Sequence, residues 1–414
     1  MSITAIRGFN DVLPGDSEIW RRVEEEAYRI FSGYGFSEIK TPVAEKTELF
    51  LRSIGETTDI VEKEMYTFQD RHGDPLTLRP EGTAPVVRAY IEHKLYTAPV
   101  SKLYYTGPMF RYERPQKGRY RQFYQIGAEV MGDESPRADA EALSMLMSFF
   151  KSIGISGVEL QINSLGDANC RPGYKEKLKA YLEGVKGALC ENCLRRIDTN
   201  PLRALDCKST GCIEATKDAP SIVGSLCEGC ATHFGTVKKH LKLSGIEARI
   251  NPRMVRGLDY YTKTTFEITS TGLGSQNAVA AGGRYDGLVK ELGGPETPCF
   301  GFAIGIERVA LILKETSAVS GRPLTVFVAL GEKAEEAAIA ILKGWREKGL
   351  KVMEEFSQGS LKSRMKRADR LGARYTVIMG DDELAEGSVS VKDMRTSAQE
   401  RLSFDAALAR ISQG

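Results

Sequence analysis

The sequence predicts an α+β chain: an antiparallel-sheet domain carrying a mostly helical insertion, followed by a small α/β domain. Three observations point there. The strand-like stretches Leu76–Leu78, Leu103–Thr106 and Tyr120–Gly132 are joined by turns rather than regular long helices, which favours antiparallel pairing. From about Cys170 to Gly245 the texture changes to helical periodicity, charge and cysteine, after which strand character returns. Beyond Pro323, strands and helices alternate, the pattern of a parallel or mixed sheet covered by helices.

In chain order, Ile19, Trp20, Val23, Ala27, Ile30 and Phe31 recur at three- and four-residue spacing, an amphipathic helix. Asp16 or Ser17 is placed to cap it, and Gly33 and Gly35 end it before a strand at Ser37–Lys40. Strand character is expected again at Arg249–Tyr261 and Thr264–Ser270. The glycine-rich run Ala278–Gly305 leads into a helix, Glu307–Lys314. Ser317–Pro323 (SAVSGRP) reads as a linker. Then follow Thr325–Leu330, Ala334–Lys348, Lys351–Phe356, Leu361–Leu371 and Tyr375–Met379 as strand, helix, strand, helix and strand. The expected domains are residues 1–169 with 246–316, the insertion 170–245, and residues 324–414.

The 414 residues are 42% apolar and 27% charged, the balance of an ordinary globular protein. Formal charge is 57 − 55 = +2, so a polyanionic partner has to be met by local basic patches. No run approaches the ~18 apolar residues of a membrane span. The segment from Met1 to Asp11 lacks the apolar core of a signal peptide, so a cytoplasmic protein is expected. There is no G-x-x-x-x-G-K-[ST] loop, no glycine cluster in Rossmann spacing, and none of the four histidines forms H-E-x-x-H.

The most informative segment is FRYERPQKGRYRQFYQIGAEVMG, Phe110–Gly132. Arginines and a lysine surround a Pro/Gly loop, after which Gln125, Gly127 and Glu129 alternate with Tyr124, Ile126 and Ala128. Alternate strand residues share a face, so Gln125 and Glu129 point together, with Phe123 preceding them on that face. An arginine-rich hairpin beside polar residues suits an anionic ligand such as ATP, because guanidinium forks match phosphate oxygens. A salt-bridged surface hairpin is the alternative.

This segment resembles motif 2 of the class II aminoacyl-tRNA synthetases, in detail that of the histidyl-tRNA synthetases. The other signatures follow in the same order. GFSEIKTPVAE (Gly35–Glu45) resembles motif 1, LRPEGTAPVVRAY (Leu78–Tyr90) the amino-acid-binding turn, and GFAIGIERV (Gly301–Val309) motif 3. RGLDYYTKTTFE (Arg256–Glu267) and AAGGRYDGL (Ala280–Leu288) resemble the two peptides peculiar to the histidine enzymes. The match covers essentially the whole chain.

The resemblance implies a ligase that activates L-histidine with ATP and transfers it to the 3′ end of tRNA(His). It implies an α+β class II core with a C-terminal anticodon-binding domain, and a homodimer assembled through motif 1. Glu81 and Thr83 would hold the substrate ammonium, Gln125 the carboxylate region, and Glu129 with Tyr261 the imidazole, Tyr260 beside them. Arg111 and Arg256 would meet the α-phosphate as the catalytic pair, Arg308 the γ-phosphate, and Phe123 would stack on adenine. Glu113, Arg121 and Tyr285 would support them. Mg²⁺ is expected from ATP chemistry, not from a motif. The rival is the synthetase-like regulatory subunit of ATP phosphoribosyltransferase, which shares the catalytic fold but usually lacks the anticodon domain and degrades the histidine peptides.

Six of the eight cysteines lie between Cys190 and Cys230. Cys190, Cys193, Cys227 and Cys230 form a CxxC…CxxC pair, the usual ligand set of a tetrahedral structural zinc. Small buried thiols are the alternative. On the helix expected near Leu361, Lys362, Lys366 and Arg370 recur every four residues, with Arg364 and Arg367 nearby. That basic face suits tRNA phosphates.

Overall fold

The computed structural model describes residues 3–55, 58, 60–258, 260–273, 277–316, 324–357 and 359–413. The chain divides into two compact units, Met1–Ala318 and Val319–Gly414. The stretch read as a linker, residues 317–323, lies outside the described residues.

The strands of the first unit are β1 (Ser37–Glu38), β2 (Ala44–Lys46), β3 (Tyr66–Gln69), β4 (Pro75–Leu78), β5 (Ser101–Phe110) and β6 (Gln122–Met131). They continue with β7 (Val158–Ser164), β8 (Ala248–Ile250), β9 (Thr262–Ser270), β10 (Ala278–Arg284) and β11 (Cys299–Gly305). Among the described residues the main sheet runs β1-β5-β6-β11-β10-β9-β7-β8, and β2-β4-β3 form a small separate sheet. Pairing is antiparallel from β5 through to β7. Only the edge pairs β1–β5 and β7–β8 are parallel.

The two faces of this sheet differ because its alternating residues differ. Tyr124, Ile126 and Ala128 of β6 lie opposite Ile304 and Phe302 of β11, and this face is apolar. Helices Asp16–Gly33 and Pro136–Ser152 cover it. Phe31 meets Tyr104, Phe149 and Phe302 with ring centroids 5.8, 6.0 and 5.8 Å apart, and Trp20 packs edge-on to Tyr124 at 5.0 Å. The first helix is not capped by Asp16 or Ser17. Gly15 is its N-cap, without a side-chain bond, while Asp16 and Glu18 fall in the first turn and complement the helix dipole instead.

The opposite face is nearly bare in the middle. Register places Gln125, Gly127 and Glu129 beside Gly305, Ala303 and Gly301, and those beside Ala281 and Gly283. A floor of glycine and alanine therefore leaves room for a ligand. The segment expected as strand from Arg249 to Tyr261 pairs only as far as Ile250. Asn251 and Pro252 turn the chain away, so Arg256, Tyr260 and Tyr261 are delivered by a loop.

The insertion contains helices Arg171–Gly184, Glu191–Thr199, Thr210–Ala215 and Glu228–Leu243. Its Tyr174, Leu178, Leu182 and Ile197 belong to the same buried cluster as Val86, Tyr90, Tyr105 and Tyr261.

The second unit holds β12 (Thr325–Leu330), β13 (Val352–Glu354), β14 (Tyr375–Gly380), β15 (Ser388–Asp393) and β16 (Gln399–Ser403), ordered β13-β12-β14-β15-β16. The first three are mutually parallel, as strand–helix alternation predicts. The β14–β15–β16 meander is antiparallel, making the sheet mixed. Phe327 and Trp345 anchor its core at 5.8 Å. On helix Leu361–Arg370 the expected basic face splits. Lys362, Lys366 and Arg370 are exposed, whereas Arg364 is buried and donates to the Ala329 carbonyl at 2.6 Å. Arg367 pairs with Glu355 at 3.3 Å.

Candidate active site

The bare floor opens into a cavity of about 300 Å³. Its lining includes Glu81, Thr83, Arg111, Glu113, Phe123, Gln125, Arg256, Tyr260, Tyr261 and Arg308, drawn from sequence segments more than two hundred residues apart. Of the expected site residues, Glu129, Tyr285 and Arg121 do not line it.

Glu129 is fully buried one layer beneath the wall. Thr83 donates to its Oε1 at 2.8 Å and Tyr285 to its Oε2 at 2.5 Å. The Tyr105 hydroxyl lies 3.5 Å from Oε1. Gly301 opposite is obligatory, since a Cβ there would fall 1.6 Å from Glu129 Oε2. Gly127 is required in the same way by the Tyr105 ring, 2.1 Å from the place of its Cβ. Burial pushes the Glu129 carboxyl up to about 8, against the Tyr285 and Thr83 donors, which favour the carboxylate. Burial also holds the hydroxyls of Tyr105, Tyr260 and Tyr285 well above the ordinary range, so they act as donors at neutral pH.

Glu81 ends the turn before helix Thr83–Glu92 and caps it. Its Oε2 accepts from Thr83 N at 2.7 Å and its Oε1 from Ala84 N at 2.8 Å. Each oxygen keeps a lone pair for a ligand cation. Burial raises this carboxyl despite those bonds.

Arginines make up much of the remaining lining. Arg111 donates Nε to the Pro80 carbonyl at 2.8 Å, and its guanidinium sits 5.4 Å from the Phe123 centroid. Arg256 pairs with Glu267 at 2.8 Å and lies 5.4 Å from the Tyr261 ring. Arg308 is held by the carbonyls of Gly118 (3.2 Å) and Ala278 (2.5 Å). Its pKa is lowered, first by burial and then by Arg119 nearby. Among the described residues, the buried lining atoms Gln125 Oε1 and Arg256 Nε have no hydrogen-bond partner, while Glu113 Oε2 is met by its ion pair with Arg119. An unsatisfied buried donor and acceptor in one cavity mark where a ligand's polar atoms belong.

Arg119, rather than the expected Arg121, lines the cavity. Alternation on β6 begins only at Gln122. Arg121 instead follows the Gly8 strap, to whose carbonyl its N–H donates at 2.9 Å, and stacks on Tyr112 at 3.7 Å. Arg119, on the Gly118 turn, enters the cavity and pairs with Glu113. Tyr105 and Glu307 also escaped sequence reasoning. Tyr105 was legible as the residue of β5 that must face Gly127, and Glu307 only through its bond from Tyr124 N at 2.8 Å. Burial raises Glu307 to about 7.

The four cysteines expected to share one ion do not meet. Cys190 and Cys193 gather with Cys207 and Cys212, whereas Cys227 and Cys230 gather with Asp167 and Cys170. Each CxxC opens a different helix, so each takes its partners from the chain packed at that helix's own N-terminus.

Family models match this arrangement throughout: Histidyl-tRNA synthetase over residues 8–309 and Anticodon binding domain over residues 325–414. The chain belongs to the histidyl-tRNA synthetase family. A histidine–tRNA ligase of Syntrophotalea carbinolica is 57% identical over 98% of this chain and 97% of its own. One of Geobacter sulfurreducens is 56% identical over 96% of each. Among solved structures, apo histidyl-tRNA synthetase of S. aureus superposes with a TM-score of 0.80 at 38% identity, covering 99% of this chain and 100% of that one. The α+β class II architecture follows from the same match. Full-length likeness to ligases separates the chain from the regulatory-subunit alternative. Among the described residues no helix is long and apolar enough to cross a membrane.

Proposed function

We propose that the cavity assembles histidyl-adenylate from L-histidine and ATP, and that the chain then transfers the histidyl group to tRNA(His). One observation carries the reading. The unpartnered Gln125 Oε1 and Arg256 Nε belong to one cavity that combines Glu81, Tyr260 and Tyr261 with Arg111, Arg119 and Arg308. That combination suits an amino acid held beside a triphosphate.

Glu81 and Thr83 accept the ammonium. Tyr261, with Tyr260 beside it and Glu129 beneath, brackets the imidazole. A site that hydrogen-bonds a polar side chain rejects analogues lacking it, because its own buried groups are left unpaired. Phe123 stacks on adenine with Arg111 at its edge. Arg111 and Arg256 neutralise the α-phosphate, and Arg308 with Arg119 the outer phosphates. No general base is needed, since an α-carboxylate of pKa ~3.5 is already ionised. A carboxylate oxygen bonds to the α-phosphorus as its bond to pyrophosphate breaks. A terminal ribose hydroxyl then attacks the acyl carbon and AMP leaves. The protein supplies alignment and charge stabilisation.

Among the described residues no three acidic groups converge in this cavity. Mg²⁺ would therefore be held chiefly by phosphate and water, with Glu113 in reach, and would neutralise the departing pyrophosphate. The proposal extends to a cytoplasmic homodimer. Val43, Leu51 and Phe68, exposed apolar residues in and beside motif 1, support a contact there.

Amino-acid-dependent ATP–pyrophosphate exchange across the standard amino acids tests the reading. Exchange with histidine alone is expected. A folded protein that binds histidine but exchanges nothing would overturn it.

A further inference from the structure

None of the eight cysteines takes part in this chemistry. The structure sorts seven of them, with one aspartate, into two sets of four whose ligand atoms all lie within 4.8 Å of one another. We propose that this chain carries two structural zinc ions. A distal ion is held by Cys190, Cys193, Cys207 and Cys212. A basal ion is held by Asp167, Cys170, Cys227 and Cys230.

The spacings suit tetrahedral coordination. With Zn–S at about 2.3 Å and Zn–O at about 2.1 Å, sulfurs lie about 3.8 Å apart and a carboxylate oxygen about 3.6 Å from sulfur. Cys190 Sγ and Cys207 Sγ are 3.8 Å apart, and Asp167 Oδ1 lies 3.6 Å from Cys170 Sγ and 3.8 Å from Cys227 Sγ. A disulfide needs its sulfurs at about 2.05 Å, roughly half that distance.

The surroundings suit thiolates. Cys170, Cys190 and Cys227 occupy the N-cap positions of helices Arg171–Gly184, Glu191–Thr199 and Glu228–Leu243, where the dipole favours negative charge. Backbone N–H groups donate to sulfur within both sets. Cys190 N donates to Cys212 Sγ at 3.1 Å and Asp167 N to Cys170 Sγ at 3.4 Å. Each CxxC closes on itself, with Cys193 N–H toward Cys190 Sγ and Cys230 N–H toward Cys227 Sγ. Thiols acting only as small apolar filler would not gather round a carboxylate oxygen.

Position explains what the ions do. The basal set joins chain positions 60 residues apart, where the insertion leaves the catalytic sheet and where its last helix begins. The distal set pins residues 190 and 212 together farther along. The buried residues of the short helices Glu191–Thr199 and Thr210–Ala215 are Cys193, Ile197 and Cys212, so closing these loops at the cysteines offsets chain entropy that one apolar side chain does not.

The test is the zinc content of the full-length protein, purified under reducing conditions, by elemental and native mass spectrometry. Two zinc ions per chain are expected, falling to one in Cys193→Ser and to one in Cys230→Ser. Should either variant fail to fold, cobalt(II) taken up by the wild-type chain provides a second readout through thiolate–cobalt absorption at two equivalents. A wild-type protein that retains no zinc and binds no cobalt overturns the proposal, as does a mass showing disulfides in place of metal. A wild-type chain that holds a single zinc ion, lost completely in both variants, overturns the two-site arrangement. None of these outcomes depends on whether histidine is the substrate.

Discussion

Glu129 has been placed where it costs stability. The free carboxyl titrates near 4.5 and the buried one near 8. Between those values the unfolded chain has lost a proton that the folded chain keeps, so stability falls as pH rises through that window. Glu129→Gln removes the liability. Its melting temperature is expected to exceed that of wild type at pH 8, with the gap closing toward pH 5, measured by calorimetry across that range. The same variant is expected to lose roughly 10- to 100-fold in histidine-dependent exchange, the worth of a hydrogen bond to a charged group. Equal stability at pH 8 would show that Glu129 is ionised and fully compensated in the free protein. Arg256 carries the complementary prediction. Arg256→Ala should lower exchange by about 10²- to 10³-fold, as when a transition-state donor is removed. At this scale the sequence was legible wherever a residue lay on a regular strand, as at Phe123, Gln125 and Glu129. Arg119 and Arg121 show the limit. Parity carries no information around a turn, and the Gly8 strap that claims Arg121 is more than a hundred positions away.

Between elements, a buried charge network fixes the wall behind Glu129. Arg284, wholly buried at the end of β10, donates to Asp139 of helix Pro136–Ser152 at 3.1 and 2.5 Å, and Asp139 meets His233 of helix Glu228–Leu243 at 2.8 Å. Sheet, covering helix and insertion meet there, one residue from Tyr285 and one helical turn from Cys230. Burial acts to raise the Asp139 carboxyl, but the His233 bond and the Arg284 charge outweigh it and hold it below its usual range. Its contribution is therefore present at neutral pH and lost as pH falls through that lowered value. Asp139→Asn leaves Arg284 buried without its counter-charge and should cost about 3–5 kcal/mol at pH 7. Urea denaturation should show the difference shrinking below pH 4. The elements themselves were largely legible, because amphipathic spacing marks Asp16–Gly33 and alternation marks β6. The floor was half legible: glycines at 282, 283, 301 and 305 were visible, but only register shows which of them face the cavity. The network was not legible, since nothing local ties Asp139 to positions 233 and 284.

For the whole molecule, a net charge of +2 has to serve a polyanionic substrate, so binding must rest on where the cations stand rather than how many there are. In the second unit the structure separates candidates that the sequence could not. Arg364 is spent on the Ala329 carbonyl and Arg367 on Glu355, leaving Lys362, Lys366 and Arg370 exposed on one helix face. If that face meets tRNA phosphates, replacing all three by alanine should weaken tRNA(His) binding and flatten its dependence on salt. The slope of log K against log salt should fall by about 0.7 to 0.9 for each phosphate no longer neutralised. Histidine-dependent pyrophosphate exchange should be unchanged, because the cavity proposed for adenylation is built entirely within the first unit. Arg364→Ala is the control from the same helix. It should lower the stability of the second unit by removing a buried hydrogen bond while leaving the salt slope at the wild-type value. A triple variant with an unaltered slope would place the tRNA on another surface of the chain.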